Sequence, residues 1–184
     1  MKHLPFLCFS LLLTTFCAVA SAQQLAFPGA EGFAAYATGG RGGTVYHVTN
    51  LNASGPGSLA DAVSRSGRIV VFDVGGVINI TNASITLASN LTIAGQTAPG
   101  EGITIYGGRV IASKSKNVIM RYIRMRGGKS VNSSKCTLTL DNCENFIMDH
   151  CSVSWGPWDS HHHSVPELFE TVILSLLKFS SFKA

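Results

Sequence analysis

The sequence predicts an all-β fold, a strand solenoid of the β-helix class, and three observations carry that prediction. Segments SNLTIAG (89–95), KNVIMRY (116–122) and ENFIMDH (144–150) each place an Asn ahead of an apolar, β-branched run, and Asn90, Asn117 and Asn145 lie 27 and 28 residues apart. A period of roughly 20–50 residues marks a chain whose repeats bury their apolar faces only by stacking on one another. The repeating unit is rich in Val, Ile, Thr and Phe, which suit a pleated, half-buried surface. Between the copies lie GQTAPGEG and RGGKSVNSSK, which is turn chemistry that no helix would carry.

Taken in order, the chain opens with Lys2, the apolar run FLCFSLLLTTFCAVA and the small residues Ala20-Ser21-Ala22 before Gln23, so residues 1–22 read as a secretory signal peptide. That run is shorter than the roughly 20 residues a bilayer span needs. No later stretch is expected to cross a membrane, and residues 23–184 are expected to be a secreted, extracellular monomer. Val45, His47 and Thr49 alternate with Tyr46 and Val48, a short strand. Ser58 can cap a helix over about 58–65, with Asp61 three residues on as a weak capping box. Such a helix would close the end of the stack, where an open core and strand edges would otherwise meet water. Residues 68–74 form a buried strand ended by Gly75-Gly76. About four rungs follow, over 69–80, 85–93, 103–125 and 137–153, within a β-helix domain spanning 23–158. In the third rung Arg124 and Arg126 share one strand face and Arg121 points to the other.

Loss of the signal would leave Cys136, Cys143 and Cys151, so at most one disulfide can form, with Cys143 and Cys151 as the candidate pair. Asn52, Asn79, Asn82, Asn90 and Asn132 head glycosylation sequons. Eight basic residues (Arg109, Lys114, Lys116, Arg121, Arg124, Arg126, Lys129 and Lys135) fall in a stretch with no Asp or Glu. On one face of a solenoid they would attract an acidic polymer, and for a secreted chain that means an acidic polysaccharide, not nucleic acid. Arg124, Arg126 and Lys129 are the candidate binding residues.

FPGAEGF (27–33), TGGRGGTVYHVTNL (38–51), GPGSL (55–59), IVVFDVGGVI (69–78), LTIAGQTAPGEGI (91–103), NVIMRYIRMRGG (117–128) and NFIMDHCSVSWG (145–156) together resemble secreted pectate lyases of the first polysaccharide lyase family. The resemblance implies a right-handed parallel β-helix that binds polygalacturonate and cleaves it by β-elimination, usually with calcium. Elimination removes the C5 proton beside the C6 carboxylate. A metal bridging that carboxylate stabilises the enolate-like intermediate, and a base within hydrogen-bond reach takes the proton. In the family that base is an arginine downstream of the DH segment, in rungs this sequence does not contain, so the chain is expected to be an incomplete β-helix, truncated at its C-terminal side and inactive. Arg121, Arg124 and Arg126 match the family as strand residues, not as the base.

Calcium takes several hard oxygen ligands. The ligand Asp expected nine residues before the asparagine of NFIMDH falls at Cys136, a poor calcium ligand. Asp159 lies near a second ligand position of the family, and Asp149 in the DH segment is the other metal candidate. His161, His162 and His163 do not make a zinc site, because alternate side chains of an extended strand face opposite ways. Two other functions stay open: a non-catalytic, acidic-polysaccharide-binding β-helix, and a β-helix glycoside hydrolase, which would need paired carboxylates.

Residues 159–184 change character and read as a divergent tail. Ser164 and Glu167 form a capping box with Pro166 in the first turn, ahead of an apolar run from Leu168 to Phe179 that predicts a helix apolar almost all round.

Overall fold

Apolar, β-branched runs separated by turns build three parallel sheets in this computed structural model, which describes residues 23–128 and 136–156 together with the backbone of strands at 161–164, 172–175 and 178–180. The first sheet runs β1 (Thr44–Val48), β2 (Arg68–Phe72), β5 (Leu91–Ala94), β8 (Lys116–Arg121), β11 (Glu144–Asp149) and β14 (Val172–Ser175). The second runs β3 (Gly76–Asn79), β6 (Ile103–Tyr106), β9 (Ile123–Arg126), β12 (Ser152–Ser154) and β15 (Lys178–Ser180). The third runs β4 (Ser84–Thr86), β7 (Arg109–Ser113), β10 (Leu138–Asp141) and β13 (His161–Ser164). The chain visits the three sheets in turn and pairs each strand in parallel with its counterpart one coil away. The result is the expected parallel β-helix, of about four turns.

Each coil therefore holds three strands, and the sequence-based rungs cut across this. The run 85–93 spans β4 and β5, which belong to successive turns, because apolar runs mark strands but not where a coil closes. In-register pairing stacks equivalent side chains into columns. Val70, Ile93, Met120 and Met148 form one, and Ile78, Ile105, Met125 and Val153 another. All are buried, in one core running the length of the solenoid. Each large side chain so buried contributes roughly 1.5–3 kcal/mol of transfer free energy.

The asparagines of the repeat stand where the chain turns into the first sheet. Asn90, Asn117 and Asn145 have φ of 54°, 53° and 51°, a left-handed conformation that Asn tolerates better than most residues. Their amides bond along the axis: Asn145 Nδ2 donates to Asn117 Oδ1 and Asn117 Nδ2 to Asn90 Oδ1, both at 3.2 Å, and Asn90 Nδ2 donates to Ser66 Oγ at 3.2 Å. The period read in the sequence is thus the period of a hydrogen-bonded ladder.

The predicted cap is a helix, α1 (Leu59–Val63). The Ser58 hydroxyl accepts from the Asp61 N–H, and Leu59, Ala62 and Val63 are buried. The segment before β1 lies outside the barrel, where Ala30, Ala34, Ala35 and Ala37 pack on Ile119 and Ile147 of the first sheet. β8 and β11 are therefore covered on both faces at Ile119 and Ile147, which explains their unbroken apolar runs there.

The helix expected over 168–179 is not formed where the backbone is described. Val172–Ser175 and Lys178–Ser180 are extended and pair with β11 and β12. An uncovered coil end offers a row of unpaired N–H and C=O groups, and satisfying these outweighs local helix signals. The predicted signal peptide lies outside the described residues. Among the described residues no helix is long and apolar enough to cross a membrane.

Candidate functional site

Folding distributes the basic cluster over three faces instead of one. Arg109 on β7 donates to the Cys136 carbonyl and to Thr139 Oγ1. Lys116 pairs with Glu144 at 2.8 Å. Arg121 closes β8 against Asp149. Of the described members only Arg124 and Arg126, both on β9, share the outer face of the second sheet; Lys129 and Lys135 lie outside the described residues. The run 121–126, read as one strand, is two strands in two sheets, because Tyr122 breaks it with φ of 56°.

Both β9 arginines are half-buried and held by protein acceptors. Arg124 donates through Nε to Thr104 Oγ1 at 2.9 Å and through a terminal nitrogen to the Glu101 carbonyl. Arg126 donates to the Met125 and Ser152 carbonyls at 3.0 and 3.1 Å and to Ser152 Oγ at 2.8 Å, and lies 5.7 Å from the centre of the Trp155 ring. Burial, and after it the neighbouring Arg124 charge, hold the Arg126 guanidinium below its ordinary pKa.

Beside these arginines opens a cleft of about 470 Å³, lined by the loop from Gly95 to Gly102 and by Tyr122, Arg124, His150 and Ser152. Tyr122 and His150 are the residues after the paired Arg121 and Asp149, one coil apart. Their rings stack with centroids 4.5 Å apart and planes 12° apart. The sequence reading missed this pair, although its signal was present: each ring stands five residues after a ladder asparagine, and Gly95 holds the same place after Asn90.

Asp149 sits behind the stack with its carboxylate 6% exposed, accepting from Arg121 Nε at 2.7 Å through Oδ2 and lying 2.7 Å from His150 Nδ1 through Oδ1. Arg121 also lies over the Phe27 ring, 4.2 Å from its centre. The two oxygens of Asp149, a metal candidate in the sequence, face a guanidinium and an imidazole.

Among the described residues no three His, Cys, Asp or Glu side chains gather around one point, Cys136 stands at the expected Asp position, and Asp141 lies within hydrogen-bond reach of Ser113 and Asn142. Asp159 lies outside the described residues.

The candidate disulfide is also corrected. Cys143 and Cys151 flank the six-residue β11, a separation of about 20 Å at strand rise, far beyond disulfide reach. Each thiol is buried and directed at a carbonyl of the preceding coil, Ala112 for Cys143 and Met120 for Cys151. Of the sequons, Asn52, Asn79, Asn82 and Asn90 are exposed, and Asn132 lies outside the described residues. The Asn90 amide is engaged in the ladder, and Asn79 Oδ1 accepts from the N–H and hydroxyl of Thr81.

No family model matches the chain. Over 132 residues it is 58% identical to the protein named probable pectate lyase C of Aspergillus oryzae and equally to that of Emericella nidulans, covering 72% of this chain and 31% of each relative. The namesake of Aspergillus terreus is 56% identical over the same share. The chain thus spans about a third of the length of the curated relatives it matches. The crystal structure of jun a 1, the major allergen from cedar pollen, matches with a TM-score of 0.51 at 20% identity, over 72% of this chain and 46% of that one. That likeness is one of fold.

Proposed function

We propose that this chain, which belongs to the pectate lyase family over its solenoid, supplies a surface that binds the acidic backbone of pectate, and that it is secreted to meet that polymer. The carrying observation is the pair Arg124 and Arg126, side by side on the outer face of β9 next to the cleft. Guanidinium groups are suited to carboxylates because their planar donors match two oxygens at once. Both here are already oriented by carbonyls and hydroxyls, so little side-chain freedom is lost when a uronate arrives.

The reaction the family reading implies is β-elimination, in which a base takes the C5 proton and the glycosidic oxygen at C4 leaves. Among the described residues the arginines of β8 and β9 donate to acceptors already in place, as protonated guanidinium groups do. They are suited to hold carboxylates and not to accept a proton. The 184-residue chain is accordingly read as a binder of pectate that does not cleave it. A glycoside hydrolase would need two opposed carboxylates, and Asp149 is committed to Arg121 and His150.

Titration calorimetry of the secreted chain with oligogalacturonate and with a neutral galactan oligomer tests this reading. Binding of the acidic oligomer alone, weakening as salt is raised, is expected. Equal affinity for both oligomers would overturn it. In parallel, no ultraviolet absorbance from unsaturated product is expected with polygalacturonate, and a sustained rise would overturn the non-cleaving assignment.

A further inference from the structure

We infer that Asn52 and Asn82, of the five sequon asparagines, carry N-linked glycans, and that these shield the N-terminal end of the stack from a second copy of the chain; this rests on the secreted reading. Among the described residues β1, β3 and β4 are the terminal strands of their sheets. The helix α1 packs against β1 and β4 and closes the core there, but it is only five residues long. Val45 of β1 and Val77 of β3 stand 57% and 55% exposed. Apolar, β-branched side chains on terminal strands invite pairing with another chain, and a bulky, solvated sugar beside them opposes it.

Both sites belong to the first coil. Asn52, Ala53 and Ser54 are exposed in the loop from β1 to α1. Asn50, not Asn52, braces that loop: its Oδ1 accepts from the Asn52 N–H at 3.1 Å and its Nδ2 donates to the Pro56 carbonyl at 3.0 Å. The loop lies over the start of β3, since a Cβ on Gly76 would come within 2.8 Å of Leu51 Cδ1. Asn82, Ala83 and Ser84 are exposed at the turn from β3 to β4, where Asn82 has φ of 61°. On the side of the next coil this turn is filled, because a Cβ on Gly108 would meet the Ile80 and Ala83 carbonyl oxygens. A group attached to Asn82 therefore leaves toward solvent and the end of the stack.

Asn79 and Asn90 are placed differently. Asn79 Oδ1 accepts from the N–H and hydroxyl of Thr81 and lies 3.3 Å from where a Gly107 Cβ would stand, so its carboxamide is turned onto the next coil. Asn90 Nδ2 donates to Ser66 Oγ while its Oδ1 accepts from Asn117, and a sugar on that nitrogen would wedge into the ladder. The sugar donor is a polyprenyl diphosphate-linked oligosaccharide of the secretory pathway. The amide Nδ2 bonds to C1 of the first sugar, the bond from C1 to the diphosphate oxygen breaks, the lipid diphosphate leaves with the electron pair, and the amide proton passes to a base of the transferase.

The full chain, expressed in a eukaryotic host and collected from the medium, is digested and treated with a glycan-removing amidase in heavy-oxygen water, which turns each glycosylated Asn into a labelled Asp for mass spectrometry. Label at Asn52 and Asn82 and none at Asn79 or Asn90 is expected. A secreted chain labelled at Asn79 or Asn90, or unlabelled at Asn52 and Asn82, overturns the assignment and leaves the secreted reading standing. A chain that never enters the secretory pathway overturns both. Ser54→Ala with Ser84→Ala removes both sequons and keeps both asparagines, and should shift the chain from monomer to dimer or larger in sedimentation velocity. Trimming the native wild-type glycans with an endoglycosidase should do the same without any substitution. Val45→Lys, which places a charge on the terminal strand, should return the trimmed chain to monomer. A trimmed chain that stays monomeric, or an association that Val45→Lys leaves unchanged, overturns the shielding role.

Discussion

Arg121 and Asp149 face one another across adjacent coils at 2.5 Å, the carboxylate 6% and the guanidinium 21% exposed, and between them they tie together three parts of the molecule. The arginine lies over Phe27 of the N-terminal segment, and the aspartate orients His150 at the cleft. Removing one partner leaves an uncompensated, largely buried charge.

Asp149→Asn should therefore cost about 3 kcal/mol, the low end for a broken buried pair because Arg121 keeps some contact with water. Urea unfolding followed by circular dichroism measures it. Arg121→Met combined with Asp149→Asn should recover part of the loss.

The asparagine ladder separates into two terms. Asn117→Ala loses both the left-handed preference and the ladder bonds, for about 2–3 kcal/mol in all. Asn117→Gly keeps the backbone conformation and should cost about 1–2 kcal/mol less than that. Equal destabilisation by the two variants in thermal unfolding would show that conformation contributes nothing.

Burial pushes the Cys151 thiol up to about 11. A thiol whose pKa is higher folded than unfolded keeps its full stabilisation below the unfolded value, near 9, and loses it as pH rises through about 11. Stability should fall by about 2–3 kcal/mol across that window, and Cys151→Ala should flatten the fall. At neutral pH, alkylation of Cys151 by iodoacetamide, read by peptide mass spectrometry, should require unfolding.

If Arg124 and Arg126 on β9 carry the binding by themselves, oligogalacturonate binding should not change on adding a chelator. Calorimetry with and without ethylenediaminetetraacetate checks this. A tenfold loss with the chelator would place a metal in the binding surface.

Gly95→Ala brings a methyl group against two backbone carbonyls and should cost about 1–3 kcal/mol through forced shifts. It should also alter the environment of Tyr122, visible in near-ultraviolet circular dichroism.

The sequence by itself determined the architecture. A β-helix repeats its own backbone geometry, so the residues that satisfy one coil recur in the next, and the spacing of Asn90, Asn117 and Asn145 could be read without coordinates. The Ser58 cap of α1 was legible for the same reason, because capping is decided within a few residues. What only the tertiary structure decided was which side chains meet. The basic run looked like one stripe, but the left-handed turn at Tyr122 sends Arg121 to one sheet and Arg124 and Arg126 to another. Asp149 pairs with an arginine 28 positions away, a contact that no local pattern announces. Cys143 and Cys151, close in sequence, are held apart by the strand between them. Local hydrogen bonding sets strands, turns and caps, and is written in neighbouring residues. Charge pairing and ring stacking across coils depend on register, which the chain acquires only when its coils close on one another.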